Sequence, residues 1–297
     1  MALRFGIVPL EFKPAVERIV GPDGIPDFSR FNIVDFAREA VEEGYKVIEI
    51  TMDIAHVIPG ALTPESIQKL VEMKDELGHA YSVHLPLWSV EPASFTKSIR
   101  KGSVECTVDA IKLAEPLEPE VYVFHSTGAL AAEFSRLNYP KKIKTVINVY
   151  MASYAAKSLE EIISQSEIDT KRLALENIEF PFEVTRTLVD EYNTGICFDT
   201  GHLLAHFSGD ESCIEFYNTH KDRIIEFHLQ DAIYIERDGC LVQDDHIALG
   251  RGGMNIRELL TEVVKDDFKG PVIFELTAAE ARESLDKIRE IVPEALG

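Results

Sequence analysis

Four cysteines, one tryptophan, no excess of basic residues and no long apolar run set the first limits on this 297-residue chain. Cys106, Cys197, Cys213 and Cys240 lie far apart with no C-x-x-C pair. That argues against a disulfide framework or a thiolate zinc site, and they read as buried or incidental thiols. Lys and Arg number 30 against 51 Asp and Glu, a formal charge of −21. A broad footprint on nucleic acid is therefore disfavoured, and a small-molecule partner is expected. No stretch approaches the roughly 18 apolar residues of a membrane span, and the N-terminus lacks a basic region followed by an apolar one. A cytoplasmic protein without membrane contact is expected. There is no linker, low-complexity tract or internal repeat, so residues 1–297 read as one domain, whose oligomeric state is not legible.

What is present is alternation. Short apolar segments predict strands at 5–8, 47–51, 80–84, 121–125, 172–176, 195–199, 223–229 and 271–276. Helical periodicity predicts helices at 32–44, 63–78, 98–115, 141–164, 182–191, 211–220, 255–265 and 279–291, with Asn32 and Thr63-Pro64 as starts. Residues 9–30, with four prolines and no strong period, read as a long connection and a candidate lid. Eight strands alternating with eight helices need parallel pairing through crossovers, in a closed (β/α)8 TIM barrel or an open doubly wound sheet.

The polar residues decide between these. Six strands each deliver one group at their C-terminal end: His84, His125, Glu176, Asp199, His228 and Glu275. Groups spread over strands three to eight meet at one point only if the sheet closes, so an α/β single TIM barrel is expected. Gathering buried carboxylates and imidazoles without compensation costs several kcal/mol per ion, and a shared cation is the simplest remedy. Imidazole and carboxylate donors without thiolate suit zinc, manganese, iron or cobalt in an open catalytic site. Asp244-Asp245-His246, read as lying in the loop after strand seven, adds Asp244 and His246 on one side of an extended segment. Gly250-Arg251-Gly252-Gly253 precedes a helix and could cradle phosphate with Arg251. Glu49 and Asp53 are candidates to bind substrate hydroxyls or amides, and Trp88 to stack on a flat ligand.

These motifs resemble the xylose isomerase-like, endonuclease-IV-like superfamily of metal-dependent TIM barrels over nearly the whole chain. Ser82-Val83-His84-Leu85-Pro86 is similar to its S-x-H-x-P, Phe124-His125-Ser126 to its strand-four histidine, and Leu175-Glu176-Asn177 to its E-N. Asp199-Thr200-Gly201-His202 is similar to its D-T-x-H, His228-Leu229-Gln230-Asp231 to its H-x-N-D, and Glu275 to its strand-eight glutamate. Members that isomerise or epimerise sugars use one metal, which the resemblance maps onto Glu176, Asp199, His228 and Glu275. The nucleases hold three zinc ions, which it maps onto those four with His84, His125, His202, Asp244 and His246.

All nine ligands are present, which favours a phosphodiester hydrolase with Glu176, Glu275 and His228 at the reacting centre over a sugar isomerase or epimerase. The segments 84–91 and 119–130 look similar to phosphodiesterases that remodel cobamides by cutting the nucleotide-loop phosphodiester. Departures from the nuclease pattern, Glu179-Phe180-Pro181 after Asn177, Gln230 in place of Asn, and Leu87-Trp88, point away from an abasic-site DNA endonuclease. Asp231 is carried over as a substrate contact. A metal-bound barrel that only binds sugar is the non-catalytic reading.

Overall fold

The computed structural model describes residues 2–9, 12–21, 23–237 and 240–297. Its strands are β1 (Arg4–Ile7), β2 (Val47–Thr51), β3 (Ala80–His84), β4 (Tyr122–Phe124), β5 (Leu173–Glu176), β6 (Gly195–Asp199), β7 (Ile224–His228), β8 (Asp231–Arg237), β9 (Cys240–Ile247) and β10 (Pro271–Phe274). All but β8 and β9 form one closed parallel barrel in the ring order β1-β10-β7-β6-β5-β4-β3-β2. Closure occurs where β1 pairs with both β10 and β2. Gly6 sits at that seam, and a Cβ there would collide with the Val47 carbonyl oxygen and the Ile273 side chain. Only glycine lets the two neighbours approach.

Alternation along each strand sorts the side chains. Ile48, Tyr81, Val83, Phe124, Leu175, Phe198 and Phe274 pack outward into the main core under the helices. Val123, Ala174 and Cys197 form a separate small cluster inside the ring. With period two, the residue that ends each site-bearing strand falls on the inward parity, which brings the six predicted groups together.

The helices are α1 (Phe12–Ile19), α2 (Ile33–Glu42), α3 (Ile54–Val57), α4 (Pro64–Leu77), α5 (Lys97–Ala114), α6 (Ala129–Arg136), α7 (Lys141–Ser166), α8 (Phe182–Tyr192), α9 (Thr200–Leu204), α10 (Cys213–His220), α11 (Ile256–Lys265) and α12 (Ala278–Ile291). The predicted caps form. Asn32 accepts from the Val34 N–H, Thr63 and Ser66 make a reciprocal capping box, and Gly78 ends α4 with φ 70°.

Two segments differ from expectation. Residues 9–30 contain α1, with Ala15 and Ile19 buried four apart on one face. Pro14 obscured it, yet proline is tolerated in a first helical turn because its missing N–H has no partner there. Residues 10, 11 and 22 of that connection lie outside the described residues. The stretch after β7 is an antiparallel hairpin, β8 with β9, instead of a loop. Its Tyr234, Ile235 and Val242 are exposed, so no burial alternation marks it as strand. Among the described residues Cys106, Cys197 and Cys213 are free thiols, the last two buried. The Cys240 side chain lies outside the described ones.

Candidate metal centre

Glu176, ending β5, stands at the middle of the barrel mouth. Its Oε2 lies 2.9 Å from His125 Nε2 and 3.3 Å from His84 Nε2, while its Oε1 lies 3.3 Å from His202 Nδ1 and 3.5 Å from His228 Nδ1. One buried carboxylate thus faces four imidazoles. Five donor groups, each with its ligand atoms within 4.8 Å of one another, occur among the described residues. Glu176, Cys197 and His228 form one, and Glu49, Glu226 and His228 another. The three that carry the predicted ligands are His84, His125 and Glu176; Glu176, Asp199, His228 and Glu275; Asp199, His202 and His246. Of these three, Glu176 joins the first two and Asp199 the last two.

The Asp-x-x-His spacing has a local cause. Asp199 is the N-cap of α9, and its Oδ1 accepts the His202 N–H at 2.6 Å, the bond a cap makes to the third helical residue. That single turn aims both side chains into the mouth. Asn177 clamps the same point, its Oδ1 accepting from the Asp199 N–H at 2.7 Å and its Nδ2 donating to the Asp199 carbonyl at 2.8 Å. Gln230, where the nucleases place Asn, donates to Asp199 Oδ2.

On the hairpin, the structure places His246 in the cluster and leaves Asp244 exposed. The carboxylate beside the histidines is Asp245, with Oδ2 3.2 Å from His246 Nδ1 and 3.6 Å from His202 Nε2. Strict alternation would present residues 244 and 246 on one side. Here the β8–β9 register shifts, and His246 adopts φ 53°, so the neighbours 245 and 246 both face the mouth.

The other predicted contacts are redistributed. Glu49 is completely buried beneath the centre, its Oε2 3.4 Å from His228 Nε2, and cannot meet a substrate hydroxyl. Beside it Glu226, a residue the sequence reading missed, accepts from Ser82 Oγ at 2.7 Å. Burial and the Glu49 charge push the Glu226 carboxyl well up. Its position two residues before His228, on the same inward parity, was the available signal. Asp53 holds the loop after β3 by accepting from the Leu87 and Trp88 N–H groups. Trp88 itself is 47% exposed.

Asp231 is buried and occupies the cradle expected for phosphate. Its Oδ2 accepts from Gly250 at 2.9 Å and Gly252 at 3.0 Å, and its Oδ1 from Ala232 and Met254, both at 2.9 Å. The glycine-rich turn therefore wraps the chain's own carboxylate. Arg251 points away and pairs with Glu280 and Glu283. Asp231→Ala strips four backbone donors of their acceptor and should cost about 3 kcal/mol in urea unfolding.

The charges are strongly coupled. Burial opposes protonation of His84 and His202, but the Glu176 hydrogen bond raises the first to about 9, and Asp199 and Glu176 raise the second to about 9. His246, also disfavoured by burial, is lifted to about 11 by Asp245 and Glu275. Burial pulls His125 down. Burial pushes the Glu275 carboxyl up, but the neighbouring His228 outweighs it and holds the group well below the usual range. Histidines raised to about 9 stabilise the metal-free fold fully below their unfolded value of about 6.5, and that contribution disappears as pH rises through 9. The melting temperature of the metal-free protein should therefore fall between pH 6.5 and 9. Metal affinity should rise over the same interval, since ligands must lose their protons, and calorimetry in two buffers should detect that release.

A closed parallel barrel with three linked imidazole and carboxylate groups at its mouth defines a TIM barrel with a candidate polynuclear metal centre. The chain belongs to the xylose isomerase-like TIM barrel family, whose model matches residues 37–291. It is 27% identical to an uncharacterized protein of Methanocaldococcus jannaschii, covering 98% of this chain and 91% of that one. It is 25% identical to a probable endonuclease 4 of a Sulfurihydrogenibium species over 72% of this chain and 77% of the relative. Among solved structures, a D-tagatose 3-epimerase-like protein aligns with a TM-score of 0.71 at 24% identity, covering 99% and 98% of the two chains, a likeness of fold. Among the described residues no helix is long and apolar enough to cross a membrane.

Proposed function

We propose that this chain is a divalent-metal-dependent hydrolase that cleaves a phosphodiester in a small molecule, a cobamide nucleotide loop being the substrate to which the sequence resemblance points. The observation that carries this reading is Glu176, whose two oxygens face two separate pairs of histidines. A single-metal isomerase needs only Glu176, Asp199, His228 and Glu275. The additional groups, His84 with His125 and His202 with His246, have no role in that chemistry. Kinship to a probable endonuclease 4 supports the same direction.

The donors fit divalent ions of the zinc, manganese, iron or cobalt kind, with zinc the expected metal. His228 Nδ1 is buried without a hydrogen-bond partner, 3.2 Å from Glu275 Oε2 and 3.5 Å from Glu176 Oε1, the placement of an unused ligand atom. His84, His125, Glu176, Asp199, His202, His228, His246 and Glu275 would hold up to three ions, with Asp245 taking the place expected for Asp244. Such ions would supply a water acidic enough to attack at neutral pH and the charge that neutralises phosphate oxygens. Glu275 joins contact with His228 to a side chain 20% exposed, so it is the ligand carboxylate open to an incoming water. Glu176 and Asp199, fully enclosed, serve as fixed ligands. Trp88, at the rim, offers a face for a flat substrate group.

Metal analysis of the purified protein, followed by a screen of phosphodiesters that includes adenosylcobalamin, tests the reading. More than one equivalent of bound metal and cobamide cleavage are expected. One tightly bound metal with no phosphoesterase activity would leave the sugar isomerase as the second reading.

A further inference from the structure

Along its outer face, α7 exposes an apolar surface. Its N-terminal half presents Ile143, Val146, Val149 and Tyr150 to solvent, Val146 at 69% exposure. Phe95, just before α5, stacks on Tyr150 at 5.7 Å and extends the patch. The opposite side of α7 is apolar as well, with Met151, Ala155, Leu159 and Ile162 buried against the barrel. α7 packs on α5, α6 and α8 beside that buried side, and the outer face of its N-terminal half is left open.

Size and charge are divided along this surface. Residues 134–159 contain no acid in a chain with 51; Lys141 and Lys144 line a cavity with Glu179, Glu183, Asp210 and Glu211, while Lys142, on the outer face, has no ion-pair partner among the described residues. Beyond the midpoint of α7 the residues become small. Ala152, Ser153 and Ala156, with Thr145 and Val149 before them, line a hollow of about 400 Å³ against Val184 and Leu188 of α8, bordered by Glu183 and Glu191. Glu160 follows two turns after Ser153 on the same side. At 3.6 residues per turn Lys142, Val149, Ser153 and Glu160 fall on one line, with Lys142 and Glu160 about 27 Å apart.

We propose that this face is the contact between two copies of the chain, α7 lying antiparallel on α7 of the second copy about a two-fold axis at the level of Met151. That one operation sets Lys142 opposite Glu160, Val149 opposite Ser153 and Val146 opposite Ala156. Large residues then meet small ones, and the lysine-rich end of each helix meets the acid-bordered hollow of the other. An isologous contact must be self-complementary in this way. A polyanion would suit the lysines but would be repelled by the hollow, so a second copy is the occupant that satisfies both halves.

Sedimentation equilibrium of the full chain at micromolar concentration should give the mass of two chains. Val149→Asp should raise the dimer dissociation constant on the order of a hundredfold, because it carries an unpaired carboxylate into an apolar seam. Val149 is exposed in the single chain, so circular dichroism and metal content should stay unchanged, and Val146→Asp provides a second variant of the same kind. Lys142→Glu and Glu160→Lys should each weaken the dimer, and the two combined should restore it. A wild-type monomer at every concentration overturns the proposal. So does a dimer indifferent to both Asp variants, or a charge exchange that restores nothing. Binding of a wild-type monomer to anionic phospholipid vesicles through this face would assign it to another occupant and equally overturn the proposal.

Discussion

Glu176→Gln should lower phosphodiester cleavage by about a thousandfold or more and empty the metal centre in the same protein. The amide keeps the shape of the side chain but loses its charge, and one of its two arms becomes an N–H donor aimed at imidazole nitrogens. Both histidine pairs then lack their common anion. In the metal-free protein the effect extends to stability. Burial works to raise the Glu176 pKa, yet the facing His125 and His228 hold it well below the usual carboxylate range. Removing that partner from buried imidazoles should cost about 3–5 kcal/mol, or on the order of 10 °C in melting temperature. Metal content, turnover and calorimetry on one preparation check all three effects. Full metal loading with full turnover would remove Glu176 from the centre.

His202→Ala separates the two chemistries. If the protein is a hydrolase using all three donor groups, turnover should fall on the order of a hundredfold. The set Glu176, Asp199, His228 and Glu275 should meanwhile keep its metal. A sugar isomerase using only that set should retain most of its activity. Asp199→Ala cannot make this distinction, because Asp199 belongs to two donor groups and caps α9, so either activity is lost. Metal stoichiometry beside turnover reads the outcome, and an unchanged rate with one equivalent of metal would favour isomerisation.

Much of the centre was legible because a strand's period of two converts sequence position into direction. His84, His125, Glu176, Asp199, His228 and Glu275 end apolar runs at the same parity, and closure of the barrel makes that parity a common point. His202 was legible through the D-T-x-H resemblance, and the N-cap turn at Asp199 is what aims it into the mouth. The hairpin residues were harder, because one irregular pairing turns Asp245 instead of Asp244 toward the histidines, and no sequence pattern announces a shift of one residue. Glu49 and Asp231 illustrate a different limit. An acid near a strand end looks the same whether it faces substrate, lies under the metal site or binds the backbone of its own loop.

The amino-acid sequence by itself determined the alternation of strands and helices, the inward parity of the strand ends and the donor chemistry of the mouth, since each depends on local periodicity and residue type. Only the tertiary structure decided which carboxylates reach the mouth, which are enclosed below it and that the glycine-rich turn closes on Asp231 instead of a ligand. Those outcomes depend on packing between segments distant in the chain, where a displacement of one residue or a few ångströms changes a side chain's partner.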